Sequence, residues 1–106
     1  MSPRPQDRRR HKRVPAERRQ ARVLIDGAWQ ESRLIDISGG GATLEVEGRV
    51  AVGARVVLSD TELGLIAGSV VRHGPSGPSL AFDLDDKRCG ALVDKLTLWH
   101  NSRFFS

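Results

Sequence analysis

Apolar and polar residues alternate along most of this chain. In "ARVLIDGAWQESRLIDIS", residues 21–38, Val23 and Ile25 alternate with Arg22 and Leu24. Asp26-Gly27 then supplies a two-residue turn, so the segment predicts a β-hairpin whose return strand runs from about Trp29 to Ile37. "GATLEVE" puts Ala42, Leu44 and Val46 on one face and Thr43, Glu45 and Glu47 on the other. "ARVVLS" and "GLIAGSVVR" predict two further strands, separated by polar residues 59–62. "GPSGP", 74–78, reads as a loop and "SLAFDL" as a last strand. Six short strands with turns between them indicate a small barrel or sandwich. From Asp85 the period changes. Cys89, Leu92, Val93, Leu96 and Trp99 follow the 3–4 spacing of an amphipathic helix. Asp85 or Asp86 can cap it, Gly90 weakens it, and it is expected to pack on the barrel's open side or mouth.

The hairpin has a consequence for position. With a two-residue loop, Ile25 faces Ala28 and paired residue numbers sum to 53. Asp36 then falls opposite Glu17 and Ser38 opposite Pro15, so Arg13 emerges beside "DISGGG", residues 36–41. With a period of two, Asp36 and Ser38 share one face, while Ile35 and Ile37 point the other way, into the core.

Charge sharpens the picture. The chain has 106 residues, enough for one domain, and a net charge of +4. Residues 1–22 carry nine Arg or Lys against Asp7 and Glu17; the remaining residues carry eight basic and eleven acidic side chains. A cationic arm thus precedes a mildly acidic body. "RRRHKR", Arg8 to Arg13, holds five of those cations. Residues 1–13 are expected to be a flexible basic arm, 14–101 the barrel with its helix, and 102–106 a tail. Such an arm suits an anionic partner: nucleic acid, phospholipid or a phosphorylated small molecule. No apolar run approaches 18 residues and no apolar segment follows the basic start. Neither membrane insertion nor a secretory signal is expected, and the single Cys89 fits a reducing, cytoplasmic setting.

The two motifs have complementary chemistry. Arginine forks grip phosphates, stack on bases and donate to the O6 and N7 acceptors of guanine. A carboxylate accepts from two donors at once, which suits the N1–H and N2–H₂ edge of guanine. Glycine lets a ligand approach the backbone and permits positive φ. The residues point to a phosphorylated guanine compound.

"RRRHKRVP" followed by "DISGGG" resembles the PilZ domain, a bacterial receptor module for cyclic di-GMP. Its R-x-x-x-R signature is matched by Arg9 to Arg13, and its [D/N]-x-S-x-x-G signature by Asp36-Ile37-Ser38-Gly39-Gly40-Gly41. The resemblance spans about residues 8–100. It implies a mainly β fold: a six-stranded antiparallel PilZ-type barrel with a C-terminal amphipathic helix. It also implies roles. Arg9 and Arg13 clamp phosphates and stack on or bond to guanine. Asp36 and Ser38 recognise a guanine edge, with Gly40 beside them and Gly41 shaping the turn. Arg8 and Arg10 add cations, and an arginine at Arg8 accompanies binding of the ligand as an intercalated dimer. The implied partners are cyclic di-GMP and an effector protein not yet identified. Two features depart from the family. Ser79 stands where glycine is common, and "PAERRQAR" is unusually charged.

Other readings remain. A small basic nucleic-acid-binding barrel would use the same arm, but the strands offer no exposed aromatic platform. A ligand-free interaction domain is a third. No Walker loop, zinc motif or nucleophile–base pair marks an enzyme, and His11, His73 and His100 lack metal-ligand spacing. Cys89, on the helix's apolar face, is expected in the core. Trp29, beside the hairpin turn, is expected half-exposed.

Overall fold

The computed structural model describes the backbone of residues 13–105 and the side chains of residues 13–99. Six strands form: β1 (Val14–Ile25), β2 (Ala28–Ile37), β3 (Gly41–Glu45), β4 (Arg55–Asp60), β5 (Gly64–His73) and β6 (Pro78–Phe82). They close into a barrel in the order β1-β2-β3-β6-β5-β4, with every neighbouring pair antiparallel. A barrel rather than a sandwich is therefore the architecture. A helix, α1 (Asp86–Phe105), completes the chain.

The alternation seen in the sequence fills the barrel. Val23, Leu44, Val56, Leu58, Ile66 and Val70 are buried, while their strand neighbours are half-buried or exposed. Val46 packs against this core from just past β3. Closure demands close backbone approach at β6. A Cβ at Gly41 would lie 2.1 Å from the Leu80 carbonyl oxygen, and one at Gly68 would lie 2.4 Å from that of Ala81. The β1–β2 hairpin turns at Asp26-Gly27, both at positive φ, as a two-residue loop requires.

Three expectations need correction. Leu34, not Ile35, joins Ile37 in the core. Ile35 is an extra residue on β2: Leu34 faces Leu44 but Asp36 faces Thr43, so the side-chain parity flips there. Second, Ser59 and Asp60 belong to β4 rather than to the polar connection, and Asp60 is buried. Third, α1 continues past position 101 to Phe105. The sequence after Trp99 contains no glycine or proline to stop it.

Asp85 caps α1, its Oδ1 accepting from the Arg88 N–H at 2.8 Å. The helix buries Leu92 and Leu96, with Val93 and Trp99 half-buried beside them. It lies across the barrel end where β1 begins and where the β2–β3 and β4–β5 turns meet. Lys95 Nζ donates to the Glu62 carbonyl at 2.9 Å, and Trp99 Nε1 donates to Glu62 Oε1 at 3.1 Å. No described helix is long and apolar enough to cross a membrane.

Candidate functional site

The two motifs meet because β1 is irregular. From Ile25↔Ala28 to Arg19↔Leu34 the paired numbers sum to 53, as the turn predicts. Beyond that, Pro15 faces Asp36 and Val14 faces Ile37. Ala16, Glu17 and Arg18 thus bulge opposite the single residue Ile35, and Pro15 rather than Glu17 stands across from Asp36. The bulge also moves the buried positions of β1 from Ala21, Val23 and Ile25 to Val14 and Ala16. Glu17 and Arg18 adopt φ of 56° and 59°. This left-handed conformation costs a non-glycine residue about 1–2 kcal/mol.

At the end of the bulge, Arg13 Nη1 donates to Asp36 Oδ1. Both side chains are partly open to solvent. The last arginine of the first motif and the acid of the second are therefore in direct contact. Arg8, Arg9 and Arg10 lie outside the described residues.

Ser38 has a different character. It is buried, and its hydroxyl holds the turn together. Oγ accepts from the N–H groups of Gly40 and Gly41 at 3.1 and 3.2 Å, and the Ser38 N–H donates to the Gly41 carbonyl at 2.8 Å. Gly40 is exposed at the apex, and its carbonyl accepts from the Phe82 N–H at 2.9 Å. Gly41 is needed for its approach to Leu80 rather than for a left-handed φ. Cys89 is half-buried rather than in the core. Its Sγ donates to the Gly39 carbonyl at 3.4 Å, which ties the first turn of α1 to the glycine turn. Ser79, at the family's glycine position, is buried with its Oγ 3.4 Å from Thr43 Oγ1.

The residues that the sequence reading missed surround the bulge. Arg18 pairs with Glu45, and Arg33 Nη1 donates to the Arg18 carbonyl at 3.4 Å. These residues line an open hollow of about 810 Å³, to which neither Arg13 nor Asp36 contributes. Arg19 turns toward the core. Its Nε and Nη2 grip the two carboxylate oxygens of Asp60 at 2.7 and 3.1 Å, and its guanidinium stacks 4.7 Å from the Trp99 ring centre. Burial pushes the Asp60 carboxyl up. The Arg19 hydrogen bonds and the N–H groups of Glu62 and Leu63 outweigh that push and hold it below the usual carboxylate range. The Asp60 hydrogen bond raises Arg19 against the opposing effect of burial. "SDTEL" carried a usable signal: an aspartate accepting from N–H groups two and three residues on is an Asx-turn. Trp29 is half-exposed as expected, with the Arg22 guanidinium 5.6 Å from its ring centre.

Comparison with curated protein sequences gives no match. Two solved structures share the fold. One is the crystal structure of the Borreliella burgdorferi PlzA protein in complex with c-di-GMP. It aligns with a TM-score of 0.64 and 17% identity over 81% of this chain. This chain covers 39% of that longer protein. The other is the PilZ domain of CeSA from a cellulose-synthesizing bacterium, with a TM-score of 0.61 and 19% identity over 81% of this chain and 98% of that one. The sequence profile of the PilZ domain matches residues 7–97, a span that holds both motifs and the whole barrel, and this chain belongs to the PilZ domain family.

Proposed function

We propose that this domain is a receptor for cyclic di-GMP. The observation that carries the reading is the Arg13–Asp36 contact, which joins the two signature motifs on one surface of the barrel. In the B. burgdorferi structure of the same fold, the bound molecule is c-di-GMP.

The roles follow from chemistry. Asp36 accepts from the N1–H and N2–H₂ edge of guanine, exchanging its Arg13 partner for the base. Arg13, released, turns to a phosphate or stacks on the base. Arg9 completes the clamp, and Arg8 and Arg10 add cationic contacts that also admit an intercalated ligand dimer. Ser38 acts by shaping the turn, since its hydroxyl serves the N–H groups of Gly40 and Gly41. Gly40 gives the ligand access to the backbone at the apex. Ligand contacts hold the basic arm against the barrel and alter the surface that an effector protein reads. The domain works by binding rather than catalysis, in the cytoplasm.

Calorimetric titration of the whole chain with cyclic di-GMP, cyclic di-AMP and single-stranded RNA tests this. Saturable binding of cyclic di-GMP is expected. Adenine lacks the N2 donors and presents an acceptor at N1, so cyclic di-AMP should bind far more weakly. Equal affinity for the two dinucleotides would remove Asp36 as the guanine reader. RNA binding that cyclic di-GMP cannot displace would favour the basic-barrel alternative.

A further inference from the structure

The Arg13–Asp36 pair has a counterpart on the same face. Arg18 Nη1 donates to Glu45 Oε2. The two pairs match in exposure: 48% and 30% for the first, 61% and 32% for the second. In each, an open guanidinium covers a partly shielded carboxylate. Their spacing follows from register. Asp36 faces Thr43 and Arg33 faces Glu45, so Glu45 is the diagonal neighbour of Asp36 across the β2–β3 pair, about 7–8 Å away at the backbone. That is within the reach of one small cyclic dinucleotide.

The second pair is held in place. Buried Ser32 donates its hydroxyl to the Glu45 carbonyl at 3.0 Å, fixing that backbone. Arg33 secures the carbonyl of Arg18. Arg18 itself sits in the left-handed bulge, a conformation retained at a cost in energy. The hollow of about 810 Å³ opens directly over Arg18, Arg33 and Glu45. A cation and a two-acceptor carboxylate repeat the chemistry proposed for Asp36, and the hollow adds room for a base.

We propose that Arg18 and Glu45 form a second guanine subsite that takes the other base of a bound cyclic dinucleotide. The proposal rests on the receptor reading above. Glu45 accepts from the N1–H and N2–H₂ edge of the second guanine, as Asp36 does from the first. Arg18 leaves Glu45 to stack on that base or meet its phosphate.

The test compares cyclic di-GMP with a mixed cyclic dinucleotide of one guanosine and one adenosine, by calorimetry on the full chain. With two guanine subsites, wild type should prefer cyclic di-GMP by about tenfold or more, the effect of one charge-assisted contact. Glu45→Gln keeps the shape but loses the second strong acceptor. It should shrink the preference to about twofold, the factor a symmetric ligand gains from two equivalent orientations. Arg18→Ala should weaken cyclic di-GMP while thermal unfolding without ligand stays close to wild type. If Glu45→Gln keeps the full preference, or wild type shows none, the second subsite is overturned while the receptor reading stands. If wild type binds neither dinucleotide, the receptor reading fails, and the subsite with it.

Discussion

Arg13 and Arg19 flank the same bulge, and each meets an aspartate on another strand, yet the two pairs differ in almost every physical respect. Asp60 has no exposed side-chain surface; Asp36 is 30% exposed. Asp60 receives two guanidinium contacts and two backbone N–H groups, so its lone pairs are well satisfied. Asp36 receives Arg13. The Arg19–Asp60 pair is further braced by Glu62 and by the indole of Trp99, which join it to α1. Burial with full satisfaction makes a pair costly to break, whereas an open pair is easily exchanged for another partner. One strand thus carries a fixed latch and a replaceable contact, and the bulge between them lets them point to different sides.

The largest effect should come from breaking the latch. Asp60→Ala leaves two backbone donors without their acceptor and Arg19 with Glu62 alone. Removing one member of a fully buried pair costs about 3–5 kcal/mol, and with Arg19 partly exposed the lower end of that range applies. For a domain of this size that corresponds to a fall in Tm of roughly 12 °C or more. Thermal unfolding of the ligand-free protein measures it. A loss below about 1 kcal/mol would erase the distinction between the two pairs.

Breaking the exchangeable contact should reverse the pattern. Asp36→Ala is expected to lower cyclic di-GMP affinity by about tenfold or more, since charge-assisted hydrogen bonds contribute about 1.5–3 kcal/mol. Stability without ligand should change by less than about 1 kcal/mol, as for exposed ion pairs. Titration and thermal unfolding of the same variant give both values. A large stability loss with unchanged affinity would make Asp36 a structural residue like Asp60.

Acid sharpens the contrast. The folded Asp60 carboxyl lies below its ordinary value. A depressed carboxyl contributes stability that is fully present above the unfolded value, about 3.9, and lost as pH falls through the folded one. Wild type should therefore lose stability on the acid side of that value, and Asp60→Asn should flatten this part of the curve. Unfolding free energies between about pH 2 and 6, bracketing the ordinary aspartate value, provide the measurement. An unchanged acid limb in Asp60→Asn would assign the acid sensitivity to other carboxylates.

Much of this arrangement was legible in the sequence, and the gaps have physical causes. The Asp26-Gly27 turn set the register near the loop, and the apolar period changed where α1 begins, with Asp85 as its cap. The hairpin alone placed Arg13 near the glycine turn, while its contact with Asp36 depends on the bulge, which shifts the register by two residues. The bulge was not legible. Neither Glu17 nor Arg18 is a residue that favours positive φ, so their conformation reflects tertiary packing rather than local preference. The inserted Ile35 hid the move of the buried position to Leu34, because strict alternation has no way to mark an extra residue. Asp60 read as a loop acid, since burial of a charge depends on Arg19, far away along the chain. Pairings across such separations are written in the barrel's closure and not in any local pattern.

The smallest expected effect concerns salt. Screening acts on exposed charges and much less on buried ones. Arg13→Ala should cost a few tenths of a kcal/mol of stability at low salt, within the range of exposed pairs. At about 1 M salt the Debye length falls to about 3 Å, and that cost should vanish. Arg19→Ala should keep most of its penalty at both salt concentrations, because Asp60, left without its partner, has no surface that counterions reach. Its lost stacking on Trp99 is likewise only weakly screened. Denaturant titrations of both variants and wild type at about 0.05 and 1 M salt, spanning weak and strong screening, resolve the difference. If the Arg19→Ala penalty faded with salt as fully as that of Arg13→Ala, the latch would be no more shielded than the open pair. The contrast between the two ends of the bulge would then reduce to their distance from the ligand.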